Sequence, residues 1–132
     1  MTSAMTLEIP ARSVYVGVVR LALGSIARIA EMDDEKVEDL RMAVSEACAN
    51  AVMVNDAAGN GAPVTVIWRE EAGAVIVEVG DRGAGTGPDP ESSTGDAERL
   101  EMSVALLRSL VDECAFEPRP EGGMITKLTV RK

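Results

Sequence analysis

Leu40 to Asn55 reads LRMAVSEACANAVMVN, and its periodicity decides what the rest of the chain must pack against. With Val37 just upstream, the residues Leu40, Val44, Ala47, Cys48, Ala51 and Val52 recur at steps of three and four, which aligns them on one face of a helix. The stretch is therefore read as a core helix. Glu46 and Asn50 stand four residues apart and so lie one above the other on a single face. Their neighbours Ser45, Ala47, Ala49 and Ala51 are small, so another group can come close to the backbone. A carboxylate and an amide side by side suit a general base next to an oxygen ligand for a hard metal ion. The same spacing also fits a solvated stripe on an amphipathic helix.

Outward from this helix, turn residues and alternation mark the other elements. Upstream, Thr6 to Ile9 alternates before Pro10 and reads as a short edge strand. Ser13 is placed to cap a first helix running to about Ala30, and Asp33 and Asp34 to supply acceptors and negative charge at the start of the core helix. On the first helix, Gly17, Arg20, Gly24 and Arg28 fall near one stripe. Two interior glycines each cost about 1 kcal/mol relative to alanine, so the stripe reads either as a partner-docking face or as a tolerant surface. Downstream, the core helix ends near Asn55. Val64–Arg69 and Ala74–Gly80 form a hairpin through Glu70 to Gly73, each strand with one face able to pack on helices. A Gly-, Pro- and Ser-rich loop follows. Helical periodicity resumes with Met102, Leu106, Leu107, Leu110 and Val111, and Ala115–Glu117 with Met124–Arg131 makes a last hairpin with a bulge or irregular start. This order is not the alternation of a doubly wound fold. It predicts an α+β two-layer sandwich: a mixed, mostly antiparallel sheet with about three helices on one face, in a single domain spanning residues 5–132.

Composition narrows the chemistry. The chain has 132 residues, 46% hydrophobic and 27% charged, which suits one self-sufficient core. With no histidine, it excludes Ser–His and Cys–His nucleophile systems, His-ligated zinc and a phosphoaccepting histidine within this chain. A net charge of −9, with Trp68, Tyr15 and Phe116 as the aromatics, argues against nucleic-acid binding and for a basic protein partner or plain solubility. Cys48 and Cys114, one in the core helix and one at the end of a later helix, read as buried free thiols. No apolar run approaches a membrane span and the N-terminus lacks a secretory pattern, so the expected location is cytoplasmic.

A second motif, Asp81-Arg-Gly-Ala-Gly85, directly follows a strand. Its glycines let backbone approach a ligand, and Asp81 at a strand end can accept a hydrogen bond from an exocyclic amine such as that of adenine. Turns after strands often look like this as well. Taken together and in this order, SEACANAV (45–52) and DRGAG (81–85), separated by one hairpin, resemble the N box and first glycine box of the GHKL ATPase superfamily. The short length and the ending SLVDECAFEP…GGMITKLTV are similar to the bacterial anti-sigma-factor serine kinases of stress and sporulation control. The resemblance implies ATP and Mg²⁺ as cofactors, with Glu46 as general base, Asn50 as metal ligand, Asp81 on the adenine amine, and Gly83 and Gly85 shaping the base pocket. Residues 88–99 would form a lid from which Ser92, Ser93, Thr94 and Arg99 reach the phosphates. It implies as partners a sigma factor and a small anti-anti-sigma protein phosphorylated on serine, with the kinase a homodimer. The stripe of Arg20, Gly24 and Arg28 is then the candidate docking face.

The phosphate side departs from the family pattern. Arg99-Leu-Glu-Met-Ser103 stands where such kinases carry a Gly-x-Gly second glycine box before the last helix, so Ser103 is a cofactor-side position with a Cβ in the way. If the Glu101 carboxylate meets a triphosphate ~4 Å away, the repulsion is roughly 4 kcal/mol at an effective dielectric of ~20. Val54 replaces a histidine often found four residues after the N-box asparagine. A catalytically degenerate, partner-switching module is therefore the alternative to an active kinase.

Overall fold

A computed structural model of the chain describes residues 4–59, 61–83 and 94–132, with the backbone path alone for 94–97. Along the chain run β1 (Ala4–Ile9), a 3₁₀ turn (Ser13–Tyr15), α1 (Val16–Ile29), α2 (Asp34–Ala58), β2 (Val64–Glu71), β3 (Ala74–Gly80), α3 (Thr94–Leu110), β4 (Glu113–Pro118) and β5 (Met124–Arg131).

The core stretch lies within α2, a 25-residue helix roughly 37 Å long at 1.5 Å per residue. Asp34 and Glu35 in its first turn complement the positive end of the helix dipole. Asp33 occupies the N-cap but makes no side-chain cap bond, so charge rather than the expected acceptor serves this end. The helix runs past Asn55 and closes at Gly59 in the left-handed region (φ 65°), whose N–H reaches the Asn55 and Asp56 carbonyls. Leu40, Ala43, Val44, Ala47, Cys48, Ala51 and Val52 are buried, and so is Asn55, the polar exception. Ser13 lies inside the 3₁₀ turn and caps nothing; Arg12 holds the cap position without a side-chain bond.

The strands form one sheet in the order β1-β2-β3-β5-β4, and each of the four pairings is antiparallel. The hairpin between β2 and β3 turns tightly at Ala72 and Gly73, where Gly73 takes φ 73°. Strand alternation sends Val64, Val66 and Trp68 of β2, Val75, Val77 and Val79 of β3, and Leu128 and Val130 of β5 to one face. There they meet Val19, Leu23 and Ala27 of α1, the apolar stripe of α2, Leu107 of α3 and Val111 just beyond its end in one core. All three helices therefore cover the same face, and the fold is the two-layer α+β sandwich. The opposite face carries the Arg69–Glu78 ion pair between neighbouring strands. Ile76 lies on that face yet is buried, flanked in register by Arg69 and Thr129.

Three further expectations change. The register of β5 with β3 and β4 is continuous, without a bulge. The imperfect alternation there arises because Thr126 takes a core-side position and Ile125 the outer face. Cys114 lies in β4 rather than at a helix end; it is half-buried, Cys48 fully so, and both are free thiols. The last helix begins at Thr94, eight residues before its apolar periodicity becomes visible.

Candidate functional site

The exposed edge of α2 presents Glu46 and Asn50, both half-buried, on successive turns. Asn50 Nδ2 donates a hydrogen bond of 2.6 Å to Ser103 Oγ of α3, and Ser103 is itself buried. One turn earlier on α3, Arg99 Nη1 lies 2.8 Å from Met53 Sδ of α2. The two helices thus run antiparallel along a seam that pairs residue 53 with 99 and 50 with 103. Because the amide nitrogen is committed to Ser103, the planar amide turns its oxygen away from α3. The Glu46 carboxylate accepts no hydrogen bond among the described residues.

The Arg99–Ser103 segment lies within helix rather than before one, which alters what its side chains do. Ala97 to Glu101 are good helix formers, and the helix they continue needs no glycine at 101 or 103. Two residues at 100° each put Glu101 about 200° around α3 from Ser103. Glu101 is exposed and turned away from Asn50. Ser103 is a helix–helix contact, not an open loop position.

At the other end, Asp81 follows β3 and is held from several sides. Its Oδ1 accepts hydrogen bonds from the backbone N–H groups of Gly83 and Met124, each 3.0 Å, and its own N–H donates to the Met124 carbonyl at 3.0 Å. Arg119 Nη1 approaches the Asp81 carbonyl at 3.4 Å. With Oδ1 occupied by two donors, Oδ2 is the oxygen left to accept from a ligand. The β4–β5 turn that delivers Met124 runs hard against this corner. Gly123 sits at φ 101°, and a Cβ there would collide with the Asp81 carbonyl.

Gly83 is buried, but a methyl on it would meet Val54 Cγ1 of α2 rather than open space. Gly83 therefore has a packing role against Val54. Gly85, Ser92 and Ser93 lie outside the described residues. So does the side chain of Thr94, whose backbone starts α3. Of the proposed docking stripe, Arg20 and Arg28 are exposed, whereas Gly24 is half-buried with the Arg41 guanidinium 3.9 Å from where its Cβ would stand. Gly24 thus accommodates α2 rather than sharing the open surface of the two arginines. A cavity of about 930 Å³ opens between Ile76, Lys127 and Arg131, on the side of the sheet away from Glu46.

One residue escaped the sequence reading. Asn55 is 1% exposed; its Nδ2 donates to the carbonyls of Ala62 (2.9 Å) and Pro63 (3.3 Å), and its Oδ1 accepts from the Arg82 N–H (2.8 Å). The signal was available, since Asn55 continues the buried stripe four residues after Ala51. A polar residue there must find partners inside the protein.

The family model described as histidine kinase-like ATPase domain matches residues 9–130, and the chain belongs to that family. Among its relatives it is 32% identical over 114 residues to the serine-protein kinase RsbW of Bacillus licheniformis, covering 79% of this chain and 71% of the relative. It is 36% identical over 123 residues to RsbW of Listeria innocua serovar 6a, covering 86% and 78% respectively. A crystal structure of the RsbU and RsbW domains of a Mycobacterium tuberculosis protein has the same fold, with a TM-score of 0.73 over 98% of this chain at 23% identity. This chain spans 32% of that larger one.

Proposed function

We propose that the chain is an anti-sigma factor and serine-protein kinase. It binds Mg-ATP along the α2–α3 edge and transfers the γ-phosphoryl group to a serine of a small anti-anti-sigma protein. The observation that carries this reading is the placement of Glu46 one turn from an Asn50 whose amide is oriented by Ser103. In the transfer, the serine oxygen forms the new bond to the γ-phosphorus, the bond to the β,γ-bridging oxygen breaks, ADP departs, and Glu46 takes the hydroxyl proton. Asn50 would hold Mg²⁺ through its side-chain oxygen, and Mg²⁺ when bound neutralises phosphate charge. No cluster of three His, Cys, Asp or Glu side chains suited to a metal occurs among the described residues.

Asp81 recognises the adenine amine through Oδ2, Gly83 and Gly85 border the base, and Thr94 and Arg99 serve the phosphates. Arg20 and Arg28 contact the protein partners, a sigma factor among them, and the working unit is a cytoplasmic homodimer of one domain spanning residues 5–132. Among the described residues no helix is long and apolar enough to cross a membrane.

The second reading, a partner-switching module without catalysis, rests on Ser103, whose buried hydroxyl occupies the place of a glycine and ties up the Asn50 amide. Calorimetric titration of Mg-ATP, with Asp81→Asn as control, separates the two. Micromolar binding lost in the control supports the nucleotide site, and no binding up to millimolar supports the module. Given binding, Glu46→Ala should abolish serine phosphorylation while leaving ATP and partner binding in place. Loss of all three together would contradict the role given to Glu46.

A further inference from the structure

We propose that Asn55 is a positioning residue that sets the distance between the two ends of the nucleotide site, an inference that rests on the nucleotide-binding reading above. Three segments far apart in sequence meet on this one side chain: the end of α2, the α2–β2 connection at Ala62 and Pro63, and the Asp81–Gly83 corner through the Arg82 N–H. The side chain is 1% exposed, so water does not compete for these bonds.

The geometry gives the clamp a purpose beyond holding a loop. Glu46, Asn50 and Asn55 ride on one continuous helix, so their separations are rigid. The rise from Asn50 to Asn55 is roughly 7.5 Å, and from Glu46 roughly 13.5 Å. Asp81, by contrast, belongs to a strand end, and its bonds to Gly83 and Met124 fix it only relative to its own turn and β5. The Arg82 N–H to Asn55 Oδ1 bond ties that corner by hydrogen bonding to the helix carrying the phosphate-side residues, and the Val54–Gly83 contact lies beside it. Without Asn55, this hydrogen bond between the Asp81 corner and the helix that carries Asn50 is lost. A ligand spanning both would have to draw them together at the expense of its own binding energy.

The test uses the full chain and three proteins: wild type, Asn55→Ala, and Val19→Ala, a core truncation in α1. Amide hydrogen exchange reads the clamp directly. Titration with ATP and with inosine triphosphate, which lacks the exocyclic amine, reads its effect on the site; both are run well below the unfolding temperatures. In Asn55→Ala the Arg82 amide should exchange at least tenfold faster. ATP should bind at least tenfold more weakly, and the preference for ATP over inosine triphosphate should shrink to within about twofold. Val19→Ala should lower the unfolding temperature while leaving all three readouts within twofold of wild type. Unchanged Arg82 exchange in Asn55→Ala overturns the clamp. Faster exchange with affinity and base preference retained overturns the positioning role, as does the same loss of preference in Val19→Ala. A wild type that binds neither nucleotide refutes the nucleotide-site reading itself, and the positioning role falls with it, whatever exchange shows.

Discussion

Adding one methyl group at Gly83 should destabilise this protein in its native background and stabilise it once Val54 has been trimmed. Gly83 is not among the glycines at positive φ, so alanine can adopt its backbone conformation without strain. The new Cβ would stand 3.5 Å from Asp81 Oδ1, an ordinary contact, but would overlap Val54 Cγ1. Overpacking of this kind costs about 1–3 kcal/mol. Rotating Val54 offers little relief, because a helical valine populates one rotamer about 90% of the time and leaving it costs roughly 1 kcal/mol. Against this, alanine narrows the unfolded ensemble and contributes about 0.4–1 kcal/mol. The net expectation for Gly83→Ala is a loss of about 1.3 kcal/mol, within a range of about 0–2.6 kcal/mol. In a Val54→Ala background the overlapping methyl is gone and the entropic term remains, so the same substitution should gain about 0.4–1 kcal/mol. Val54 is 40% exposed, so its truncation alone should be mild. Urea denaturation followed by circular dichroism on the four proteins closes the cycle. Equal effects of Gly83→Ala in the two backgrounds, within about 0.3 kcal/mol, would refute the steric argument.

Burial pushes the Cys48 thiol from 9.0 up to about 12, so the unfolded chain loses this proton first as pH rises. Stability is therefore full below pH 9 and falls between pH 9 and 12, by about 1.4 kcal/mol at pH 10. Urea denaturation at pH 8 and pH 10 should show that loss in wild type and not in Cys48→Ala; an identical loss in both would assign it to other groups. Ser103→Ala should lower stability by about 1 kcal/mol by leaving the Asn50 amide without its partner. If Asn50 holds Mg²⁺, the same substitution should raise the Mg²⁺ concentration needed for ATP binding several-fold. An unchanged Mg²⁺ titration would mean that Ser103 serves helix packing alone.

Much of this architecture is legible in one dimension because it rests on periodic burial. The three- and four-residue steps of α2 and the alternation of β2 and β3 each put apolar side chains on one face, and covering those faces leaves few arrangements. The start of α3 was hidden for the converse reason. Helices there begin under Gly95 and Asp96, poor helix formers, and the buried contacts that stabilise the segment involve α2, distant in sequence. Glu101 shows the consequence: the family resemblance alone would set it against a triphosphate, whereas within the helix it is exposed and turned away from Asn50.

The sequence by itself determined the two-layer fold and the side-by-side carboxylate and amide of Glu46 and Asn50, since both follow from residue spacing along a single helix or strand. Only the tertiary structure decided what those groups touch. That Asn50 bonds Ser103, that Asp81 is held by Met124, that Gly83 makes room for Val54 and that Asn55 joins α2 to Arg82 are contacts across 53, 43, 29 and 27 residues. Local periodicity carries no information about such pairs, because which side chains meet is set by how the layers pack.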